Sequence, residues 1–494
     1  MDLDPRLNRP PQELHRVYLM GIGGVAMGAL AGALARRGLA VRGSDRPLYP
    51  PMSTFLARRG IPVASPYQAA NLLPPPDLVI VGNVIRRDNP EVAALAELEL
   101  PYLSLPQAVA HFFIRRRTSI VVAGTHGKTT TTAAIASGLM HAGLDPGFMV
   151  GGIMREGGEN FREGGGEVFV VEGDEYDTAF FDKRPKFVHY RPRIALLTSC
   201  EFDHADIYPD LAAVHRAFEM LPAVMEPGGL IVAWGDSPAV RDRLRAAPCP
   251  VETYGRAEGC TWRLLALEPA PQGGMRLGLR TPRGRVLEFD TPLVGEHNAL
   301  NTCAAVAALS AAGLDPERAA AVQARFQGVR RRQEVRGVAG GVTVVDDFAH
   351  HPTAVRETVA AVARFGLSGW RPGGGRLVAV FEPRTNTSRR RFFQEDYARA
   401  FDRADLVFLR EPPQAEDIPP DERFSSARLA HALCGRGIPA RAFPHTDALL
   451  EALLAELVPG DLCLIMSNGG FDHLHARLLE ALGGGELAPA SGHD

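Results

Sequence analysis

Thr118-Ser-Ile-Val-Val-Ala123-Gly124-Thr125-His126-Gly127-Lys128-Thr129-Thr130-Thr-Thr-Ala133 is the stretch on which the reading of this chain turns. The β-branched run up to Ala123 reads as a buried parallel strand, and the residues from Thr129 onward read as a helix. Between them stands Gly-x-x-Gly-Lys-Thr, in the strand–loop–helix context that a phosphate-binding loop requires. Backbone N–H groups of such a loop, together with the positive end of the helix, favour phosphate. Gly124, Thr125, His126, Gly127, Lys128, Thr129 and Thr130 are therefore candidate ATP-binding residues. Lys128 is expected at the β- and γ-phosphates, and the Thr129 hydroxyl at Mg²⁺. The longer form of the pattern wants a glycine where Val122 stands, so the match is to the shorter form.

Working outward, Glu167-Val-Phe-Val-Val-Glu172-Gly-Asp174-Glu175-Tyr-Asp177 is a strand delivering Glu172 to a sheet edge. Its four acids within six residues repel one another unless a cation is near. Mg²⁺ is that cation if ATP sits at Lys128; the plain alternative is a solvated acidic loop. Thr198-Ser-Cys-Glu201-Phe-Asp203-His204-Ala-Asp206 follows another strand, and His204 reads as a second metal ligand, a general base, or a structural histidine. Asn298 and Asn301 lie on one face of a helix and suit either a base edge or a helix cap. Arg330-Arg331-Arg332 suits a γ-phosphate, or is a basic linker.

Upstream, Arg16–Met20, Gly21-Ile-Gly23-Gly24-Val-Ala26 and Ser44-Asp45 compose a βαβ unit whose glycines let backbone approach a pyrophosphate. Downstream, a third α/β unit offers Asp346-Asp347-Phe-Ala-His350-His351, Phe381-Glu382-Pro383-Arg384-Thr385-Asn386 and Ser467-Asn468-Gly469-Gly470, each after a strand. Arg384 is a candidate carboxylate clamp; turn chemistry alone is the other reading. Residues 260–294 alternate as a small antiparallel flap. The organisation is three α/β domains, 1–117, 118–335 and 336–494, with a frayed tail from 483.

The composition agrees. A length of 494 residues suits about three domains. The 46% hydrophobic content excludes disorder, and 51 glycines without a Gly-X-Y period exclude collagen. A net charge of −3 gives no sign of a nucleic-acid or anionic-membrane surface. Six scattered cysteines without a CxxC motif suit reduced thiols. No signal-peptide-like core and no run of about 18 apolar residues occurs, so a cytoplasmic protein without membrane insertion is expected. Of 54 cationic residues only Lys128, Lys183 and Lys186 are lysines; the reading is either a codon bias toward arginine or a need for a compact point charge in the region 128–186, which holds all three.

Taken in order, GIGGVAMGALA with GSD, GTHGKTTTT, VVEGDEYD, EFDHADIY, GEHNALN, GVRRRQE and VVDDFAHHPT resemble the Mur ligase family over nearly the whole chain. That resemblance implies an α/β fold of three domains. A Rossmann-like N-terminal domain would hold UDP-N-acetylmuramate, a central P-loop ATPase domain would follow, and a Rossmann-like C-terminal domain would bind the amino substrate. It implies Gly21, Gly23, Gly24, Asp45, Asn83 and Arg86 at the UDP-sugar, and Lys128, Glu172 and His204 as catalytic residues. It further implies Thr129, Glu172 and His204 as metal ligands, and Asn298, Asn301, Arg332 and Asp347 around ATP. Arg384, Asn386, Ser467, Asn468 and His350 would meet the peptide. Cofactors would be ATP and Mg²⁺, all partners small molecules, and the assembly a monomer or weak homo-oligomer.

The segment Asp177–Pro192, with FEPRTNTS, MSNGGF and YPPMST, resembles the branch that takes the murein tripeptide L-Ala-γ-D-Glu-meso-diaminopimelate in peptidoglycan recycling. The alternative amine is free L-alanine. Some relatives support the second metal with a carbamylated lysine; here Phe218 or Glu219 stands roughly at that position. Gly337, Gly340 and Gly341 are the expected hinge between the central and C-terminal domains. Readings of another class are an NAD-binding dehydrogenase and a non-catalytic nucleotide-binding regulator; hydride transfer needs neither Lys128 nor Glu172.

Overall fold

A computed structural model describes residues 3–50, 52–367 and 373–483. The expected frayed tail therefore lies outside the described residues from 484 onward, as does Pro51 of the YPPMST stretch. The chain divides into two compact units, Met1–Glu201 with Ala212–Tyr254 and Ala304–Ala319, and Phe202–Leu211 with Gly255–Cys303 and Ala320–Asp494.

The first unit opens with a parallel sheet of β1 (Arg16–Met20), β2 (Ala40–Ser44), β3 (Val63–Ala64), β4 (Leu78–Val81) and β5 (Tyr102–Ser104), in the order β3-β2-β1-β4-β5. Every residue of β4 is buried, which is why LVIV reads as a continuous apolar run and not an alternation. Strand order reverses between β1 and β4, the place where an open parallel sheet leaves a crevice beyond its carboxyl edge.

The same unit continues with β6 (Thr118–Ala123), β7 (Gly147–Met149), β8 (Phe161–Arg162), β9 (Val168–Gly173), β12 (Ile194–Leu197), β13 (Leu230–Trp234) and β14 (Val251–Gly255). They run in the order β14-β13-β12-β6-β9-β7-β8, and β8 alone among these is antiparallel to its neighbour. The helix Lys128–His141 follows β6 and is buried almost all round despite its four threonines; Thr131 and Thr132 are wholly covered. Such a helix shows little sidedness in sequence. Between β9 and β12 the chain folds β10 (Asp177–Ala179) against β11 (Asp182–Pro185) as an antiparallel hairpin, then makes a 3₁₀ turn over Lys186–His189.

In the second unit β15 (Trp262–Pro269), β16 (Met275–Arg280) and β17 (Val286–Thr291) form the antiparallel flap read from the alternation. The final sheet is β18 (Glu334–Ala339), β19 (Val342–Asp347), β20 (Leu377–Phe381), β21 (Leu406–Arg410), β22 (Ala440–Phe443) and β23 (Leu462–Met466), ordered β18-β19-β23-β20-β21-β22. All neighbours are parallel except β18 with β19. Successive residues face opposite cores: Val345, Ala379, Phe381 and Leu464 pack on one side, Val344, Val380 and Ile465 on the other.

The expected hinge glycines have another role. Gly337 lies inside β18, and Gly340 and Gly341, at φ +57° and +76°, form the two-residue turn joining β18 to β19. Positive φ at both central positions is the demand of a tight hairpin, so these glycines lock a ladder and are poorly placed to open one. Among the described residues no helix is long and apolar enough to cross a membrane.

Candidate active site

The Gly-Lys-Thr loop is built by the backbone first. Gly124 sits at φ +132° and Gly127, the N-cap of the helix, at φ +83°. A Cβ on Gly124 would meet Thr198 Oγ1 at 2.1 Å, so conformation and space both demand glycine. The loop is strapped to the end of β12. Thr198 Oγ1 donates to the carbonyls of Ala123 (3.1 Å) and His126 (2.5 Å), and His126 N donates to Ser199 Oγ (2.8 Å). Thr125 Oγ1 donates to Glu201 O (3.0 Å) and accepts from Glu201 N (2.9 Å).

Lys128 is buried, and its Nζ donates to Gly124 O and Glu175 Oε2, each at 2.7 Å, with Asp174 Oδ1 at 4.0 Å. Burial disfavours the ammonium, but Glu175, Asp174 and Glu172 outweigh it and raise its pKa. Glu172 accepts Thr129 Oγ1 at 2.9 Å on one oxygen and Gly151 N at 2.7 Å on the other. Burial, and then the charge of Asp174, push its carboxyl above the ordinary range. Two hard oxygen donors side by side, in a place that resists more negative charge, fit a small divalent cation.

The acidic stretch is thus no solvated loop. Each of the three lysines takes one of its acids: Lys128 with Glu175, Lys186 with Asp174 (2.8 Å) and Lys183 with Asp177 (2.6 Å). Lys186 also donates to Tyr176 OH at 3.1 Å. The carbamylated-lysine position is filled differently: Phe218 stacks on Phe187 in the core, and Glu219 pairs with Arg243 at 3.3 Å.

In the N-terminal sheet, Gly21 takes φ +78° and its N–H donates to Ser44 O at 2.9 Å, tying the end of β1 to the end of β2. Asp45 holds the turn from the other side, accepting Gly23 N at 2.7 Å and Tyr67 OH at 2.9 Å. A Cβ on Gly21 would touch Val84 at 3.1 Å, so the glycine turn and the exposed loop of Asn83 and Arg86 meet at the β1–β4 reversal. Gly24 caps the following helix.

The second unit gathers three further groups. His204, at φ +56°, lies in the segment 202–211, which packs with the C-terminal sheet, whereas Thr129 and Glu172 belong to the first unit. Ala205 N donates to Thr387 Oγ1 (3.1 Å), Asn386 Nδ2 to Asp206 Oδ2 (2.9 Å), and Asp203 lies 3.9 Å from His350. Burial raises the Asp203 carboxyl, but the neighbouring imidazoles of His350, His204 and His351 hold it well below the usual range.

Asn298 and Asn301 bond each other at 3.3 Å, and Asn298 reaches Gln333 Oε1 at 3.3 Å. Gln333 N donates to Asp347 Oδ2 at 2.7 Å. Arg332 lies 4.8 Å over the Phe348 ring, and its charge partly offsets the burial that raises the Asp347 carboxyl. The asparagines are buried partners of Gln333 and each other.

Around Glu382, which is wholly buried, stand Ser467 Oγ (2.6 Å), Arg410 and, at 3.6 Å, Arg384. A Cβ on Gly469 would meet Arg384 Cδ at 2.2 Å, so a larger residue there would displace the arginine side chain. Asn468 Oδ1 is buried with no hydrogen-bond partner among the described residues.

One pH effect follows here. Burial, and secondarily Arg332, lower the His297 pKa to about 4. The folded ring stays neutral while the unfolded one protonates below about 6.5. Between about pH 6.5 and 4 the unfolded state binds more protons, so stability falls as pH drops through that window. Denaturant unfolding at a series of pH values should show this slope, and His297→Gln should flatten it; an unchanged slope in the variant would refute the assignment.

These motifs match known proteins along almost the entire chain. The profile of the Mur ligase family catalytic domain covers residues 16–117, that of the Mur ligase middle domain 122–309, and that of the Mur ligase glutamate ligase domain 330–469. The UDP-N-acetylmuramate–L-alanyl-γ-D-glutamyl-meso-2,6-diaminoheptandioate ligase of Escherichia coli (strain K12) is 41% identical over 467 residues, 94% of this chain and 98% of that protein. The chain belongs to the Mur ligase family. A UDP-N-acetylmuramate–L-alanine ligase of Paenarthrobacter aurescens (strain TC1) is 35% identical, across 96% of this chain and 98% of its own. The crystal structure of a murein peptide ligase from Psychrobacter arcticus 273-4 shares 31% identity at a TM-score of 0.69, covering 96% and 99% of the two chains. The three-domain α/β architecture is accordingly that of the Mur ligases.

Several residues of this Mur ligase escaped the sequence reading as site residues. Glu175, Thr198, Gln333 and Glu382 each hold a candidate site residue directly. Lys186 does so at one remove, through Asp174. The scarcity of lysine was a signal for Lys186; Gln333 and Glu382 stand inside the quoted GVRRRQE and FEPRTNTS stretches, and their burial is what marks them as partners of the site residues.

Proposed function

We propose that this Mur ligase joins the amine of L-alanyl-γ-D-glutamyl-meso-diaminopimelate to the lactyl carboxylate of UDP-N-acetylmuramate, consuming ATP and releasing ADP and phosphate. The choice of amine rests on one observation: 41% identity over nearly full length to a ligase of that name, against 35% for an alanine ligase. ATP and Mg²⁺ are part of the proposal, supported by the Lys128–Thr129–Glu172 geometry.

A carboxylate is a poor electrophile. Transfer of the γ-phosphoryl group to its oxygen gives an acyl phosphate and ADP; attack by the neutral amine expels phosphate and forms the amide. Two anions must meet for the first step, and preorganised cations offset their repulsion. Lys128 would exchange Glu175 for phosphate oxygens. Thr129 and Glu172 would hold Mg²⁺, which when bound supplies further neutralisation of phosphate charge. Asn298 and Asn301 are proposed at the adenine, with Arg332 and Asp347 at the ATP. The turn of Gly21, Gly23, Gly24 and Asp45, with Asn83 and Arg86, is proposed for the UDP-sugar. Arg384, Asn386, Ser467, Asn468 and His350 are proposed for the carboxylate-rich peptide, where a guanidinium fork suits a carboxylate. His204 is proposed as the remaining catalytic group and metal ligand. With nucleotide substrates of this kind, we place the enzyme in the cytoplasm.

The test is phosphate release from ATP and Mg²⁺ with UDP-N-acetylmuramate and either L-alanine or the tripeptide. Turnover with the tripeptide alone is expected. Turnover with alanine would move the enzyme to the biosynthetic reaction, and silence with both in folded protein would end the ligase reading.

A further inference from the structure

The P-loop lies at the carboxyl edge of the central sheet. At the other edge, where β6 and β12 begin, a cavity of about 630 Å³ is bounded by Arg115, Arg116, Arg117, Arg191 and Arg193. Its volume is that of a small-molecule pocket. It is separated from the P-loop by the length of β6, about 17 Å for six residues. Of the stretches discussed above it shares only the strand starts at Thr118 and Glu167 and the His189–Arg191 end of the Asp177–Pro192 segment, none of which holds a candidate site residue.

Three observations set this cavity apart from ordinary solvated surface. The first is charge: five arginines face only two glutamates, Glu167 and Glu226, among the lining residues. Glu226 is taken by Arg191 at 2.7 Å, while Arg117 and Arg193 donate to backbone carbonyls. The guanidinium groups of Arg115 and Arg116 have no hydrogen bond or ion pair among the described residues. The second is backbone: the residues before Arg115, Ala110–Ile114, form a π-helical turn, and Arg191 stands at φ +44°. Both conformations are costly for ordinary residues and concentrate at functional sites. They come from segments distant in sequence and meet on one cavity. The third is the local field: burial, then the charges of Arg115 and Arg37, lower the pKa of His111 in the same wall.

We infer that this cavity is a second anion-binding site, distinct from the P-loop, which takes a small multivalent anion carrying phosphate or carboxylate groups. Arg115 and Arg116 supply the unpaired guanidinium forks, and the strained turns aim the two arginine segments at one point.

The experiment is isothermal calorimetry of the full-length enzyme with inorganic pyrophosphate and, separately, with citrate. It compares wild type with Arg115→Ser/Arg116→Ser and with the charge reversal Arg115→Glu/Arg116→Glu. These side chains are exposed, so thermal melting and ligase turnover without added anion should stay at wild-type values. The expected result is a pyrophosphate stoichiometry lower by one in both variants, or binding at least about tenfold weaker at the affected site. Stronger pyrophosphate than citrate binding at that site identifies a phosphate ligand, and the reverse a polycarboxylate. Unchanged stoichiometry and affinity in both variants, with both anions, overturns the inference.

Discussion

Lys128→Met is expected to abolish ATP-dependent turnover and also to destabilise the fold, and adding Glu175→Gln to it to restore stability without restoring activity. The pair is buried, with Glu175 1% exposed, and its oxygen lies 2.7 Å from Nζ. Removing one partner strands the other charge away from water, at a cost of about 3–5 kcal/mol, whereas a neutral pair of similar volume costs little. Turnover depends on the cation itself, because it neutralises phosphate charge as that charge develops; loss of one such group costs at least about 10²–10³-fold. Denaturant unfolding and phosphate release on the two single variants and the double variant complete the cycle. A double variant no more stable than Lys128→Met would show that Glu175 does not answer Lys128 in the folded state.

Glu382→Ala is expected to raise KM for the peptide by at least about tenfold while leaving KM for ATP near its wild-type value. Glu382 has no exposure and joins two loops: it accepts Ser467 Oγ at 2.6 Å, pairs with Arg410, and lies 3.6 Å from Arg384. Its loss leaves the largely buried Arg410 with Asp472 at 3.3 Å as its remaining ion pair, and frees the loops that present Arg384, Ser467 and Asn468. Glu382→Gln, which keeps an acceptor oxygen of the same shape, should fall between wild type and Glu382→Ala. Initial rates at varied peptide and varied ATP separate the two constants. Equal rises in both would make Glu382 a general structural residue and remove its claim on the peptide loops.

By itself the sequence determined the strand–loop–helix of the phosphate loop, the parallel sheets and the antiparallel flap. These are local matters: a β-branched apolar run buried on both faces, a glycine at positive φ, and a period of two in the flap each write their cause into neighbouring residues. That Thr129 and Glu172 share a site was implied by the family resemblance; the parallel pairing of β6 with β9 brings the first turn of the helix after β6 beside the end of β9, where the two side chains bond at 2.9 Å. What only the tertiary structure decided was which charge answers which. The acidic stretch reads as a repelling loop until Lys128, Lys183 and Lys186 are brought onto it one by one. Asn298 reads as a base-edge contact or a helix cap; in the structure its amide donates to Val294 O at 2.9 Å and reaches Gln333, 35 residues on, at 3.3 Å. Gly340 and Gly341 read as a hinge until register places them in a hairpin turn. Glu175 lies 47 residues from Lys128 and Gln333 lies 35 from Asn298, and the energy of such a pair depends on burial, which no local pattern encodes.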